Sequence, residues 1–96
     1  MIYFIQEGQR GPIKVGYTIG KPEKRLQTLQ TGHPSSLVLL GHIEGTEVHE
    51  KKIHQFLGFY RIRGEWFRAE ELVIKFIWSL IMRLSKGLPA CQRILE

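Results

Sequence analysis

Apolar and polar positions alternate at the start of the chain, shift to a helical spacing, and finish in a nearly unbroken apolar run. In "IYFIQE", residues 2–7, Ile2 and Phe4 alternate with Tyr3 and Ile5. In "PIKVGYT", residues 12–18, Ile13, Val15 and Tyr17 alternate with Lys14 and Gly16. Period-two alternation predicts two strands, and "GQRG" at 8–11 supplies the turn of a hairpin. A turn centred on Gln9 and Arg10 sets Tyr3 opposite Gly16 and Ile5 opposite Lys14. Cross-strand neighbours share a face, so Tyr3, Lys14 and Gly16 are expected on one side. Ile2, Phe4, Ile13, Val15 and Tyr17 then form the packed side.

The next stretch, "GKPEKRLQTLQTG", has a helical rhythm. Pro22 suits the first helical position, Leu26 and Leu29 face one way, and Gly32 is a natural stop. "SLVLLGHIEG" predicts a third strand, and its nearly continuous apolar run implies a central or well-covered place in the sheet. Thr46 is positioned to cap a helix running to about Leu57, with Ile53, Phe56 and Leu57 as its buried side. "GFYRIRGEWF" reads as a basic, aromatic loop. A last helix is expected from Arg68 to about Leu84. Within "LVIKFIWSLIMRL" only Lys75, Ser79 and Arg83 are polar, one narrow stripe at i, i+4, i+8. Two cations within thirteen residues argue against a membrane span, which needs about 20 apolar residues. Either the helix is buried in the core, or its apolar excess at residues 72–84 is a homodimer interface.

The pattern thus predicts an α/β (α+β) domain, a three-stranded antiparallel sheet flanked by helices in the order β-β-α-β-α-α. Ninety-six residues make a single domain over 1–96. Fourteen Lys and Arg against nine Asp and Glu give +5 and a pI near 9.7, which favours a polyanionic partner, nucleic acid before an anionic membrane. The one cysteine, Cys91, allows no internal disulfide, and no signal-peptide pattern opens the chain, so a cytoplasmic location is expected. No nucleophile motif and no Walker or dinucleotide glycine spacing is present. His49 and His54 are five apart, about 140° around a helix, and "HEKKIH" misses the H-E-x-x-H spacing of a zinc hydrolase. A lone carboxylate such as Glu50 suits Mg²⁺ better.

"IYFI" at 2–5, "KVGYT" at 14–18, "EKRL" at 23–26, "EKKIHQF" at 50–56 and "GEWF" at 64–67 together resemble the GIY-YIG nuclease superfamily. The likeness is to its divergent phage and fungal meiotic branch, and it covers residues 1 to about 70. The remainder, 71–96, is the last helix and a tail. The resemblance implies a metal-dependent endonuclease-type domain that hydrolyses DNA, with one divalent cation, Mg²⁺ or Mn²⁺, on Glu50. By position it implies Tyr3, Lys14, Arg25 and Glu50 as catalytic residues, with His54 and Glu65 in support.

Within that reading, Tyr3 orients or deprotonates water beside Lys14, Arg25 forks onto phosphate oxygens, and Gly16 lets the nucleic-acid backbone reach the sheet. Tyr17, Arg61 and Arg63 are further candidate nucleic-acid contacts. The chain departs from the family at Met1 (usually glycine), Lys14 (usually tyrosine) and Leu29 (often histidine), and Glu65 lies near the family's late asparagine. A nucleic-acid-binding module that kept the fold and lost turnover is the alternative, followed by a protein-interaction domain working through the last helix. Tyr3, Lys14, Arg25 and Glu50 are expected to converge on one open surface.

Overall fold

A computed structural model describes residues 1–85; the tail, with Cys91, lies outside the described residues. Strands β1 (Ile2–Glu7) and β2 (Ile13–Tyr17) form the expected hairpin, followed by α1 (Pro22–Thr31), β3 (Leu37–Ile43) and α2 (Glu47–Phe56). A 3-10 turn at Gly58–Tyr60 then leads into β4 (Arg61–Arg63), β5 (Trp66–Phe67) and α3 (Glu71–Ser85). The mixed α and β class is as expected, but the sheet has five antiparallel strands in the order β3-β1-β2-β5-β4. The basic "loop" is a second hairpin. Three- and two-residue strands are too short to show a period in sequence, and the turn between them rests on Gly64 at φ +55°, a left-handed conformation that glycine adopts without strain.

The β1–β2 register is as the turn dictates, with Tyr3 opposite Gly16 and Ile5 opposite Lys14. β1 is buried on both faces, since Ile2, Tyr3, Phe4 and Ile5 all lack exposed surface beyond 1%. Such a strand needs a cover on each side. On one face Tyr3, Ile5 and Leu37 pack with Leu26 and Leu29 of α1. On the other, Ile2, Phe4, Ile13, Val15, Ile43 and Phe67 meet Ile53 of α2, Leu57 at its C-terminal cap, and Val73, Ile77 and Leu80 of α3. Each fully buried Ile, Leu or Phe side chain contributes about 1.5–3 kcal/mol, so the second face carries most of the core.

Three expectations change. β3 is an outer strand, not a central one, and Val38 is 44% exposed. Its long apolar run reflects cover on both faces, and pairing slips once, between Phe4–Gly41 and Ile5–Leu39. Leu39 packs on the α1 side and Leu40 on the other, as neighbours in a strand do, and the slip sets Leu40 and Gly41 on the same α3-facing side. Phe56 is 63% exposed rather than buried, its ring stacked on Phe76 at 4.5 Å. The last helix begins at Glu71, three residues later than Arg68. Its Val73, Ile77 and Leu80 enter the core, while Leu72 and Trp78 remain on the surface. No helix among the described residues is long and apolar enough to cross a membrane.

Gly16 is buried, and its place is taken by the Tyr3 ring. A Cβ there would overlap Cζ and Oη of Tyr3. Gly16→Ala should therefore destabilise the fold by about 1–3 kcal/mol, the usual cost of overpacking, read as a lower urea midpoint at unchanged slope. An alanine variant as stable as the parent would show that the ring moves aside freely.

Candidate metal and nucleic-acid site

α2 owes its position to its first turn. The Thr46 hydroxyl accepts from the His49 backbone N–H at 3.4 Å, and His49 Nδ1 accepts from the Thr46 backbone N–H at 3.1 Å. This reciprocal cap occupies His49, which takes no part in a metal-type cluster among the described residues. From that start, Glu50, Ile53, His54 and Leu57 form one helical stripe at i, i+3, i+4, i+7. Ile53 and Leu57 fill the core, so Glu50 is drawn down with them to 8% exposure.

His54 sits one turn above Glu50 and reaches the free edge of β2. There its Nε2 donates to the Val15 carbonyl at 2.8 Å. The Val15 N–H, on the same edge, donates to the Glu65 carbonyl at 3.0 Å. Glu65 occupies the tip of the β4–β5 hairpin, and ligand-type atoms of Glu50, His54 and Glu65 all lie within 4.8 Å of one another. The Glu50 carboxylate makes no hydrogen bond or ion pair among the described residues. Burial raises its pKa first, the Glu65 carboxylate and Glu47 raise it further, and His54 and Lys14 oppose the shift.

Lys14 joins from the other face. Its Nζ pairs with Glu65 Oε1 at 2.9 Å and lies 5.6 Å from the centre of the Trp66 ring. Five of the expected site residues are thus placed around the point where β5 stops pairing with β2: Glu50, His54, Glu65, Lys14 and Gly16. The expectation of one common open surface does not hold. Tyr3 belongs to the α1 face and is 1% exposed, whereas Glu50 comes from a helix on the opposite face. The two faces meet only at the edge of β2. The Gly16 expectation is also corrected, because its bare backbone is covered by Tyr3 rather than open to a ligand.

The remaining candidates lie further out. Arg25 is exposed on α1, and its guanidinium has no hydrogen bond or ion pair among the described residues. Tyr17 is half-buried against the larger core. Arg61 and Arg63 are exposed on β4, at the outer edge of the sheet, with the Arg61 guanidinium 5.5 Å from the Phe67 ring centre.

A buried carboxylate without a partner, an imidazole and a second carboxylate make a donor set suited to a divalent cation. The residues present fit the single ion expected on Glu50. The i, i+4 spacing of Glu50 and His54 was the signal in sequence for the imidazole, since it puts both on one helix face. Compared with known proteins, the chain matches no family model, no curated protein and no solved structure.

The raised Glu50 pKa has a definite sign in stability. The folded chain holds this proton more tightly than the unfolded chain, so ionised Glu50 costs stability above the ordinary carboxylate value of 4.5, and the cost disappears as pH falls below it. In chelator-treated protein, Glu50→Gln should raise the thermal midpoint at about pH 8 and leave it unchanged at about pH 3. A lower midpoint at the higher pH would mean that the carboxylate is a net stabiliser.

Proposed function

We propose that the chain is a metal-dependent endonuclease-type domain that hydrolyses DNA phosphodiester bonds. The observation that carries this reading is the Glu50, His54 and Glu65 cluster beside Lys14. It is supported by the five short motifs of the nuclease family and by the +5 charge.

Glu50 is the residue that would hold the ion, with the Glu65 carboxylate and His54 beside it. A divalent ion there supplies Lewis-acid stabilisation of the extra negative charge that develops on phosphate. The chain's own groups do the rest. Lys14 brings a positive charge to the same edge and, through Glu65, stays within reach of the cluster. Arg25, unpaired on α1, is free to fork onto phosphate oxygens on the Tyr3 side. Arg61 and Arg63 extend the positive surface along β4, where they would position the backbone without reading sequence. The Tyr3 hydroxyl has no hydrogen-bond partner among the described residues, which leaves it free to orient a water.

A second reading, a binding module of the same fold without turnover, is favoured by two specific observations. Lys14 is already committed to Glu65, and the Tyr3 ring is buried. Plasmid cleavage in Mg²⁺ or Mn²⁺ separates the two. The endonuclease reading requires nicking that Glu50→Gln reduces by orders of magnitude, as expected where one transition-state contact is worth about 3 kcal/mol. Tyr3→Phe keeps the ring over Gly16 and should cut the rate by about 10²-fold if the hydroxyl positions water. Salt-sensitive DNA binding without cleavage in either metal would establish the module instead.

Binding itself has a separate check. Replacing Arg61 and Arg63 by alanine should weaken DNA binding for all sequences alike and reduce the salt slope by about one for each arginine in phosphate contact. An unchanged slope would assign the β4–β5 hairpin a purely structural role.

A further inference from the structure

Three features, independent of any resemblance, converge at the edge of β2. Glu50 is more than nine-tenths buried, carries no hydrogen bond or ion pair, and directs its carboxylate into the cluster with His54 and Glu65. The His54 ring is fixed by the bond from Nε2 to the Val15 carbonyl and by the Phe67 ring, 5.3 Å between centroids. A carbonyl only accepts, so Nε2 carries the proton, and the lone pair of the neutral imidazole is on Nδ1. This is how metal-binding histidines are commonly held, with the second nitrogen donating to a backbone carbonyl to fix tautomer and ring orientation. Lys14 bonds only Oε1 of Glu65. A carboxylate has a second oxygen, so Glu65 can keep its lysine and still ligate.

We propose that Glu50, Nδ1 of His54 and Glu65 form a three-ligand site that takes a nitrogen-tolerant transition-metal ion, Mn²⁺ or Zn²⁺, in preference to Mg²⁺. The inference deepens the nuclease reading at the same site, but it concerns the ion and its ligands and stands or falls on binding alone. Imidazole is what separates the ions. Mg²⁺ keeps to oxygen and gives up water reluctantly, whereas Mn²⁺ and Zn²⁺ accept nitrogen, with affinity rising towards Zn²⁺. Glu50 and His54 sit on adjacent turns of one helix and need little adjustment. Glu65 is at a hairpin tip next to Gly64, where a short side-chain movement is least costly.

The test is titration of the full chain, first stripped with chelator, with MnCl₂, ZnCl₂ and MgCl₂ in turn, followed by calorimetry. One equivalent of Mn²⁺ or Zn²⁺ should bind at least about tenfold more tightly than Mg²⁺. His54→Gln retains an amide donor for the Val15 carbonyl but removes Nδ1. It should weaken Mn²⁺ and Zn²⁺ by about 10–100-fold and leave Mg²⁺ unchanged; Glu65→Gln should weaken all three. Nitrogen NMR of the wild-type histidines supplies a readout that does not depend on variants. Zn²⁺ should shift Nδ1 of His54 while Nε2 stays protonated, with His33, His42 and His49 unaffected at one equivalent.

Mg²⁺ binding as tight as Mn²⁺, or His54→Gln binding Mn²⁺ and Zn²⁺ like wild type, would overturn the proposal. So would a His54 resonance that ignores Zn²⁺. Failure of the nuclease reading looks different: stoichiometric, His54-dependent binding with no DNA cleavage in any metal. Conversely, Mg²⁺-supported cleavage that depends on Glu50 but tolerates both His54→Gln and Glu65→Gln keeps the nuclease and removes this site.

Discussion

β2 runs for five residues, but β5 pairs with only Ile13 and Lys14 of it. Backbone groups beyond that pairing still need partners once buried. The chain meets the demand at Val15 by two different means. A loop carbonyl from Glu65 takes the N–H, and the His54 ring supplies the donor for the C=O. Those two bonds draw a helix from one layer and a hairpin tip from another strand pair to the same point. The polar cluster is the product of a sheet that stops pairing early.

Why Lys14 is on this edge follows from the same constraint. From Ile2 to Ile5 β1 is filled on both faces, so the polar residue of this stretch of the hairpin falls on β2, its neighbour towards β5. Ile13 and Val15 must point to the α2–α3 side, which leaves Lys14 and Gly16 on the α1 side. Gly16 is consumed by the Tyr3 ring. Lys14 has the length to leave that face and reach Glu65 at the edge, its ammonium over the Trp66 ring. A shorter cation at this position could not join the two faces.

Much of this was legible in the residues, and the exceptions have physical causes. Alternation plus a turn of defined length fixed the Tyr3–Gly16 register, and Thr46 and Gly32 marked helix ends correctly. The sheet's outer half was not visible, because "RIR" and "WF" are shorter than one detectable period. For the same reason Glu65 could be assigned only a supporting place by likeness, not by geometry. β3 looked central because its residues are covered on both faces, Leu37 and Leu39 by the α1 side and Leu40 and Ile43 by the α2–α3 side, although one edge of the strand has no neighbour among the described residues. Glu50 and His54 stand in plain view as an i, i+4 pair, but the expected buried side of Ile53, Phe56 and Leu57 includes an exposed Phe56. Taking Phe56 as buried rotated the helix and hid the fact that Glu50 shares the core-facing side.

The outermost strand has a consequence of a different kind. β4 ends the sheet with a row of backbone groups that no other strand among the described residues covers, an edge onto which another chain could pair. Its three residues include Ile62, half-exposed and β-branched, which favours such growth. Arg61 and Arg63 flank that isoleucine, and a second copy arriving antiparallel would bring its own two arginines against them. Like charge at so short an edge makes self-association by strand addition unfavourable. The hairpin that completes the sheet therefore also guards it against growth by strand addition.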